Sequence, residues 1–331
     1  MTKPSTNKLR VFFLGSKEKK GFLRRAAVYG ILTAIGFVYV QPVLYMLLTS
    51  VMSPADQTDV RVLWVPTQFY AENYALAAAV IDFWQSFYVS VIMSVIPALL
   101  QTACTALAGY AFARFEFPFK KLWLVVIVVV FLMPNQVMTI PQTVLFSNFL
   151  GLDVSLFRTP WIVYLPAIMG QGIKNSIFIL IFYQFFHSYP KSFDEAAELD
   201  GCKRFKVFYK IAVPMAGPAI VISVIFSVVW YWNETVQSSL FFGQMTAMRG
   251  TSSFNLFFVN VNSMNTLPMQ LSALADLYGS YMQIPNARIA MITDGVTMAS
   301  TTLAILPIMV LYLFMQKQFV ESVERSGITG E

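Results

Sequence analysis

Long runs without a charged residue constrain this chain more than any other feature. Five runs of at least 22 residues contain no Asp, Glu, Lys, Arg or His: Ala26–Ala55, Phe83–Ala113, Leu122–Leu152, Ile211–Asn233 and Gly295–Gln316. A sixth run, Thr159–Pro190, is interrupted only by Lys174 and His187. A helix rises about 1.5 Å per residue, so about 20 apolar residues cross the roughly 30 Å hydrocarbon core of a bilayer.

The runs predict an all-α integral membrane protein with six transmembrane helices, because backbone polar groups in lipid must pair within their own segment. The alternative is a soluble protein with buried core helices. It fits poorly with 57% hydrophobic and only 12% charged residues, since soluble domains carry about 25% charged residues. The predicted spans are Ala26–Val51, Phe87–Phe112, Leu122–Leu145, Trp161–Phe186, Pro218–Phe242 and Ala290–Met315.

The distribution of basic residues predicts the orientation. Of the 23 Lys and Arg residues, 18 lie in the N-terminal tail, the turn 114–121, the segment 191–210 and the C-terminal tail. Basic residues favour the cytoplasmic side, so both termini are expected in the cytoplasm. The net charge of +6 therefore reflects topology, and a nucleic-acid partner is not expected. The first run is too long for a cleaved signal peptide and is expected to remain as an anchor.

The predicted organisation has three parts. Residues 1–25 form a basic cytoplasmic tail, residues 26–316 the transmembrane domain, and residues 317–331 a cytoplasmic C-terminal tail. Within the transmembrane domain we expect a charged cytoplasmic segment at 190–214 and a long external stretch at 243–288.

The sequence lacks the motifs of disulfide pairing, metal binding, nucleotide binding and hydrolytic catalysis. Cys104 and Cys202 fall in different compartments of the predicted topology, so we expect no disulfide. The sequence has a single histidine and no Cys/His cluster, so no metal site is expected. It has no GxxxxGK[ST] loop, GxSxG, HExxH or paired intramembrane carboxylates. We therefore expect no enzyme activity and no cofactor in this chain. If its function is driven by ATP, another chain must hydrolyse the ATP.

The segment Pro190–Pro214 is unusual because it places nine charged residues between two apolar runs. Ser192 and Glu195 have the spacing of a capping box, which predicts a helix start. Gly201 predicts a left-handed turn, and a second helix is expected to begin near Lys203. Such a helix–turn–helix is suited to fill a groove on another protein. The alternative is a loop that lies on lipid headgroups.

The residues of this segment also resemble a known family. The stretch EAAELDGCKRFKVFYKIAVP (195–214) closely resembles the EAA motif of ATP-binding-cassette importer permeases. Three further stretches are similar to motifs of the carbohydrate branch, the six-span maltose-transporter type, and occur in the same order: YAFARFEFPFKK, WYWNET and QKQFVESVERSGITGE. The N-terminal tail and the external stretch 243–288 are longer than this resemblance leads us to expect.

The resemblance implies a function and a set of partners. The chain would be a permease subunit in the plasma (inner) membrane of a prokaryote, in contact with membrane lipid. It would work with a second homologous permease, two cytoplasmic ATPases and an extracellular or periplasmic solute-binding protein. The segment 190–214, here named the coupling segment, would dock on an ATPase. Its candidate coupling residues are Glu195, Ala196, Ala197, Asp200, Gly201, Phe205, Ile211 and Pro214.

Polar residues inside spans are costly and are therefore candidates for the substrate pathway. The candidates are Gln171, Lys174, Asn175, Trp232, Asn233, Glu234, Asn135 and Gln136. Lys174 could contact a negatively charged sugar, extend its amine to the outer interface, or pair with Glu234 or Asp294. The expected substrate is an oligosaccharide, and whether it is anionic stays open; glycerol phosphodiesters and polyols also stay open as substrates. A stand-alone secondary transporter or channel is the alternative function, but it needs no ATPase dock, and no inverted repeat is visible.

Overall fold

The computed structural model describes residues 22–151, 155–157, 159–242, 254–256, 259–261, 264–283 and 293–328. Most of the predicted basic tail, part of the external stretch 243–288 and the last residues of the C-terminal tail lie outside these ranges. The described chain is almost entirely helical, as the sequence predicts. One short antiparallel hairpin departs from the all-α expectation, with β1 at Phe254–Leu256 paired to β2 at Val259–Val261.

The helices follow the apolar runs along the chain. In chain order they are α1 (Phe22–Ser50), α2 (Pro54–Thr58), α3 (Glu72–Val80), α4 (Phe83–Arg114), α5 (Lys120–Leu132), α6 (Asn135–Ser147), α7 (Trp161–Ile168), α8 (Asn175–Ser188), α9 (Ser192–Leu199), α10 (Arg204–Val207), α11 (Val213–Met215), α12 (Gly217–Asn233), α13 (Val236–Phe242), α14 (Leu267–Ser272), α15 (Leu274–Tyr281) and α16 (Asp294–Ile328). A 3₁₀ turn at Phe149–Gly151 follows α6, and a π turn at Phe208–Ala212 joins α10 to α11.

Among the described residues, three uninterrupted helices are long and apolar enough to cross a membrane. They lie in α1, α4 and α16 and correspond to the first, second and sixth predicted spans. All three contain one proline, Pro42, Pro97 and Pro307, which transmembrane helices tolerate.

Two further predicted spans are bent rather than continuous. The third span divides into Lys120–Leu132 and Val137–Gly151 at 101°. The fifth, Pro218–Phe242, is interrupted after Asn233, and its α12 follows Arg204–Met215 of the coupling segment at a bend of 78°. Pro134 explains the first bend, because a proline disfavours helical geometry in the residue before it. If each bent pair is one span, the described residues contain up to five spans. The count of six therefore stays a prediction.

The fourth predicted span, Trp161–Phe186, is not one helix in the structure. Helix α7 ends at Ile168 and α8 begins at Asn175, so residues 169–174 interrupt it. Gly170 and Lys174 both have left-handed backbone angles, with φ of +73° and +53°. A left-handed residue ends helical hydrogen bonding, so this segment forms a loop between two short helices. We name residues 169–174 the break loop.

The chain divides into two compact units. One comprises described residues within Met1–Ala77 and Ala290–Thr302, and the other those within Ala78–Ile289 and Leu303–Glu331. In the first unit, the amide of Asn73 donates hydrogen bonds to the carbonyls of Ser50 (3.0 Å) and Met52 (2.8 Å). The Gln57 Oε1 atom accepts one from the Gly295 N–H at 3.1 Å. These bonds hold the end of α1 beside α2, α3 and the start of α16.

Helix α4 is the centre of the second unit and packs against α7, α8 and α12. At Gly109 the backbone of α8 approaches so closely that an added Cβ would lie 2.5 Å from the Phe182 Cβ. Small residues at helix contacts allow this close approach in membrane proteins. The core nearby consists of alanines and aromatic rings, with Phe182 and Phe186 fully buried.

Candidate functional site

The coupling segment forms the helix–turn–helix that the sequence predicts. Helix α9 ends at Leu199, and Gly201 takes a left-handed conformation with φ of +78°. The Cys202 N–H donates to the Ala197 carbonyl at 3.0 Å and the Gly201 N–H to the Glu198 carbonyl at 3.0 Å. These two bonds close the end of α9 as in a Schellman motif. The predicted glycine turn is confirmed.

The start of α9 differs from the predicted capping box. Lys191 is the N-cap residue, and no side chain caps the helix there. Ser192 is already inside the helix, so the predicted Ser192–Glu195 reciprocal pair is wrong. Asp194 and Glu195 still occupy the first turn, where their negative charge favours the positive end of the helix dipole.

The coupling segment exposes large apolar side chains. Leu199 is 89% exposed and Phe205 66% exposed, and Phe193 and Tyr209 are about half exposed. Among the candidate coupling residues, Ala197 is buried and Ile211 is half-buried. The other six are exposed: Glu195, Ala196, Asp200, Gly201, Phe205 and Pro214. Sequence reasoning missed Leu199, whose position just before the turn marks it as a tip residue. Exposed apolar groups framed by charges are typical of a protein interaction surface.

A buried charged cluster joins the coupling segment to the end of α4. The Arg114 side chain is only 5% exposed, and its Nε lies 3.1 Å from the Asp194 Oδ2. The Arg114 Nη2 donates to the Tyr189 carbonyl at 2.9 Å, and its guanidinium lies 3.9 Å from the centre of the Tyr189 ring. The Tyr189 hydroxyl donates to Asp194. Burial raises the pKa of Tyr189, and its hydrogen bond to Asp194 raises the pKa further. We name Arg114, Asp194 and Tyr189 the Arg114 cluster.

The second unit also contains a cavity of about 480 Å³. Its polar lining comes from the break loop, the end of α12 and the neighbouring helices: Gln142, Gln171, Lys174, Asn175, Ser176, Tyr231, Glu234, Gln237, Ser238 and Thr266. Its apolar lining includes aromatic rings of Trp123, Phe131 and Phe146. Ligand pockets commonly measure about 300–1,000 Å³ and combine apolar walls with a few polar groups. The cavity is therefore large enough for part of a carbohydrate.

Four of the predicted pathway residues line this cavity together. They are Gln171, Lys174, Asn175 and Glu234. Lys174 is exposed, and among the described residues no carboxylate lies within ion-pair distance of it. Glu234 instead accepts a hydrogen bond from the Gln237 N–H at 2.8 Å. The suggested Lys174–Glu234 pair is therefore not formed.

The remaining pathway candidates lie elsewhere. Trp232 is buried, and Asn233 is exposed with its amide donating to the Val229 carbonyl at 2.8 Å. Neither residue lines the cavity. Asn135 and Gln136 begin α6, and their side chains lie outside the described part of the structure.

Sequence reasoning missed the residues that hold the break loop. The buried Gln101 on α4 donates from Nε2 to the Ile173 carbonyl at 2.8 Å, and its Oε1 accepts from the Tyr231 hydroxyl at 2.6 Å. The Ile173 N–H donates to the Tyr231 hydroxyl at 3.4 Å. A glutamine inside a charge-free run is the signal that could have found this contact, because buried amides require partners.

A comparison with known proteins decides the family. Residues 101–325 match the family described as binding-protein-dependent transport system inner membrane component. The chain belongs to this family. It is therefore a multi-pass plasma-membrane permease rather than an enzyme, which confirms the predicted recognition and localisation.

Known relatives extend over most of the chain. It is 28% identical to the probable ABC transporter permease protein YurM of Bacillus subtilis (strain 168), covering 89% of this chain and 86% of the relative. It is 25% identical to the arabinooligosaccharides transport system permease protein AraQ of Halalkalibacterium halodurans, covering 89% and 93%. The fold is similar to a solved bacterial ABC transporter involved in the import of the acidic polysaccharide alginate. That match has a TM-score of 0.66 and 18% identity, and it covers 89% of this chain and 98% of the other.

Proposed function

We propose that this chain is a permease subunit of an ATP-driven importer for an oligosaccharide. The observation that carries this proposal is the coupling segment, a glycine-turned helix pair with exposed apolar side chains and buried connections to α4. Relatives named for arabinooligosaccharides and for starch degradation products support a carbohydrate substrate.

The partners follow from the same proposal. The exposed Leu199 and Phe205 would fill a groove on one of two cytoplasmic ATPases, which would bind ATP and Mg. A second homologous permease would complete the translocation path, and an extracellular or periplasmic solute-binding protein would deliver the sugar. Membership of a binding-protein-dependent transport family supports this assembly.

The cavity would receive the sugar at the break loop. Amide, carboxylate and hydroxyl groups can pair with sugar hydroxyls, and aromatic rings can pack on their apolar faces. Lys174 carries a cationic group on a loop fixed by Gln101 and Tyr231, and it has no acidic partner among the described residues. This arrangement favours an oligosaccharide with at least one negative charge near Lys174.

The test measures sugar-stimulated ATP hydrolysis by the purified complex with its binding protein. The panel contains neutral arabino- and malto-oligosaccharides and acidic alginate oligosaccharides. We expect acidic sugars to stimulate hydrolysis, and Lys174→Ala to weaken this response about two- to tenfold, as for a hydrogen bond to an exposed charged group. Arg61→Ala, which removes an exposed cation from the other unit, is the matched control and should behave as wild type.

Other outcomes separate the parts of the proposal. If neutral sugars stimulate ATP hydrolysis, and do so equally in wild type and Lys174→Ala, the proposed preference for anionic sugars is contradicted. The assignment as an importer would still stand. Sugar uptake by the chain without any ATPase would contradict the assignment itself and favour a stand-alone transporter.

A further inference from the structure

We propose that Arg114 is a positioning residue that fixes the coupling segment to α4, so that a displacement of the segment moves α4 and the break loop. This inference rests on the proposed function. It concerns how movement at the ATPase dock reaches the cavity, and it assigns a role to residues outside the exposed docking surface.

The Arg114 cluster is a three-way connection. Arg114 ends α4, Tyr189 follows α8, and Asp194 lies in the first turn of α9. One guanidinium contacts all of them through an ion pair, a hydrogen bond and the face of a ring. A planar guanidinium suits this role because its donors have fixed directions, and a lysine could not reproduce them.

Aromatic rings pack beside the cluster, so separating the charges of Arg114 and Asp194 would be costly. The Tyr110 ring, one turn before Arg114 on α4, lies 5.3 Å from Phe186 and 5.1 Å from Phe208. Phe208 belongs to the π turn of the coupling segment, so the segment packs on α4 at a second point. A charge that loses its partner in such surroundings remains poorly solvated, and the pair therefore resists separation.

Helix α4 connects the cluster to the cavity. From Gln101 to Arg114 the helix is continuous and contains no proline, and 13 residues extend about 20 Å at 1.5 Å per residue. At the far end, Gln101 holds the Ile173 carbonyl next to Lys174. The contacts thus form an unbroken physical series from Asp194 to the break loop. The energetic coupling along this series is measured by comparing sugar uptake with ATP hydrolysis in variants of the cluster.

The experiment uses the complete transporter reconstituted in liposomes with the panel sugar that wild type imports. Two rates are measured together: sugar taken up and ATP hydrolysed. The variants are Arg114→Lys, Asp194→Asn, Tyr189→Phe, and the exchange Arg114→Asp with Asp194→Arg. Glu116→Gln is the matched control. Glu116 lies two residues after Arg114 and also forms an ion pair, with Lys120, but its side chain is 89% exposed and is not part of the Arg114 cluster.

We expect Arg114→Lys and Asp194→Asn to assemble with the ATPases and hydrolyse ATP, but to import about 5- to 150-fold less sugar per ATP, the usual range of coupling between sites. Tyr189→Phe, which keeps the ring, should show a smaller loss. Glu116→Gln should equal wild type. Partial recovery of the ratio in the exchange variant would further support the pair.

An unchanged ratio of sugar to ATP in Arg114→Lys and Asp194→Asn would overturn the positioning role while leaving the importer assignment intact. A loss of both rates in proportion to a lower yield of complex would also overturn it, because that pattern indicates a purely structural contact. If wild type imports no panel sugar with ATP, the proposed function fails first, and this inference fails with it.

Discussion

Gly109 lies where the backbone of α8 occupies the space that a side chain on α4 would need. Substitution by alanine adds one methyl group in this position. The new Cβ would lie 2.5 Å from the Phe182 Cβ, 2.8 Å from the Tyr183 nitrogen and 2.9 Å from the Phe182 carbonyl carbon. Two of these atoms belong to the backbone, so rotation of a side chain cannot relieve the clash.

The size of the effect follows from the distances. Carbon atoms in favourable contact lie about 3.5–4.0 Å apart, so the helices must separate by about 1 Å. Overpacking of this kind costs about 1–3 kcal/mol. Alanine recovers about 0.5–1 kcal/mol of helix propensity. The expected net loss of stability is therefore about 0.5–2 kcal/mol, which is a factor of roughly 2–30 in the unfolding equilibrium.

The assay is thermal or denaturant unfolding of the purified permease complex in detergent, with sugar uptake measured in parallel. Gly36→Ala is the matched control, because no atom lies within 4 Å of a Cβ added in α1; it should leave stability equal or slightly higher. A Gly109→Ala protein as stable as Gly36→Ala would refute the close contact between α4 and α8.

Two further predictions concern the turn of the coupling segment and the first unit. Gly201→Val, which is strained at φ +78°, and Glu195→Lys should both insert normally but abolish sugar uptake, and normal uptake in either would contradict the docking role. Asp56 accepts a hydrogen bond from the Thr67 hydroxyl at 2.6 Å, and this bond lowers the pKa of Asp56 below 3.8. Its stabilising effect is therefore complete above that pH and is lost as the pH falls through the lowered pKa. Proteolysis of the 53–70 segment should be unchanged between pH 7 and 5 and faster only in stronger acid; an earlier increase would argue against this hydrogen bond.

The sequence predicts the apolar segments well because bilayer thickness sets their length and forbids unpaired charge. It predicts the turn at Gly201 because a left-handed backbone angle favours glycine. It does not predict whether an apolar run is one helix or two. Lys174 adopts a left-handed angle next to Ile173, whose backbone is held by the tertiary partners Gln101 and Tyr231.

The candidate site is predictable only in part, because its geometry also depends on tertiary contacts. Residues in the break loop were recognised because polar groups stand out in an apolar run, and they do meet at one cavity. Trp232 was selected because an aromatic face beside Asn233 and Glu234 suits a sugar, yet the direction in which a helix residue points depends on what packs beside the helix. The ion pair between Arg114 and Asp194 joins residues 80 positions apart, and no local pattern specifies such a partner.

The break loop has a consequence for how the protein is made. At 1.5 Å per residue, α7 and α8 reach only about 12 Å and 21 Å, so neither can cross a bilayer of about 30 Å by itself. Their connection is held by Gln101, which is synthesised earlier, and by Tyr231, which is synthesised later. Asn175, at the start of α8, is buried in the full chain. We expect a chain truncated after Pro190 to leave a cysteine placed at position 175 open to membrane-impermeant reagents, and equal protection in the truncated and full chains would contradict this. We therefore expect α7 and α8 to reach their final position in the membrane only after α12 has been synthesised.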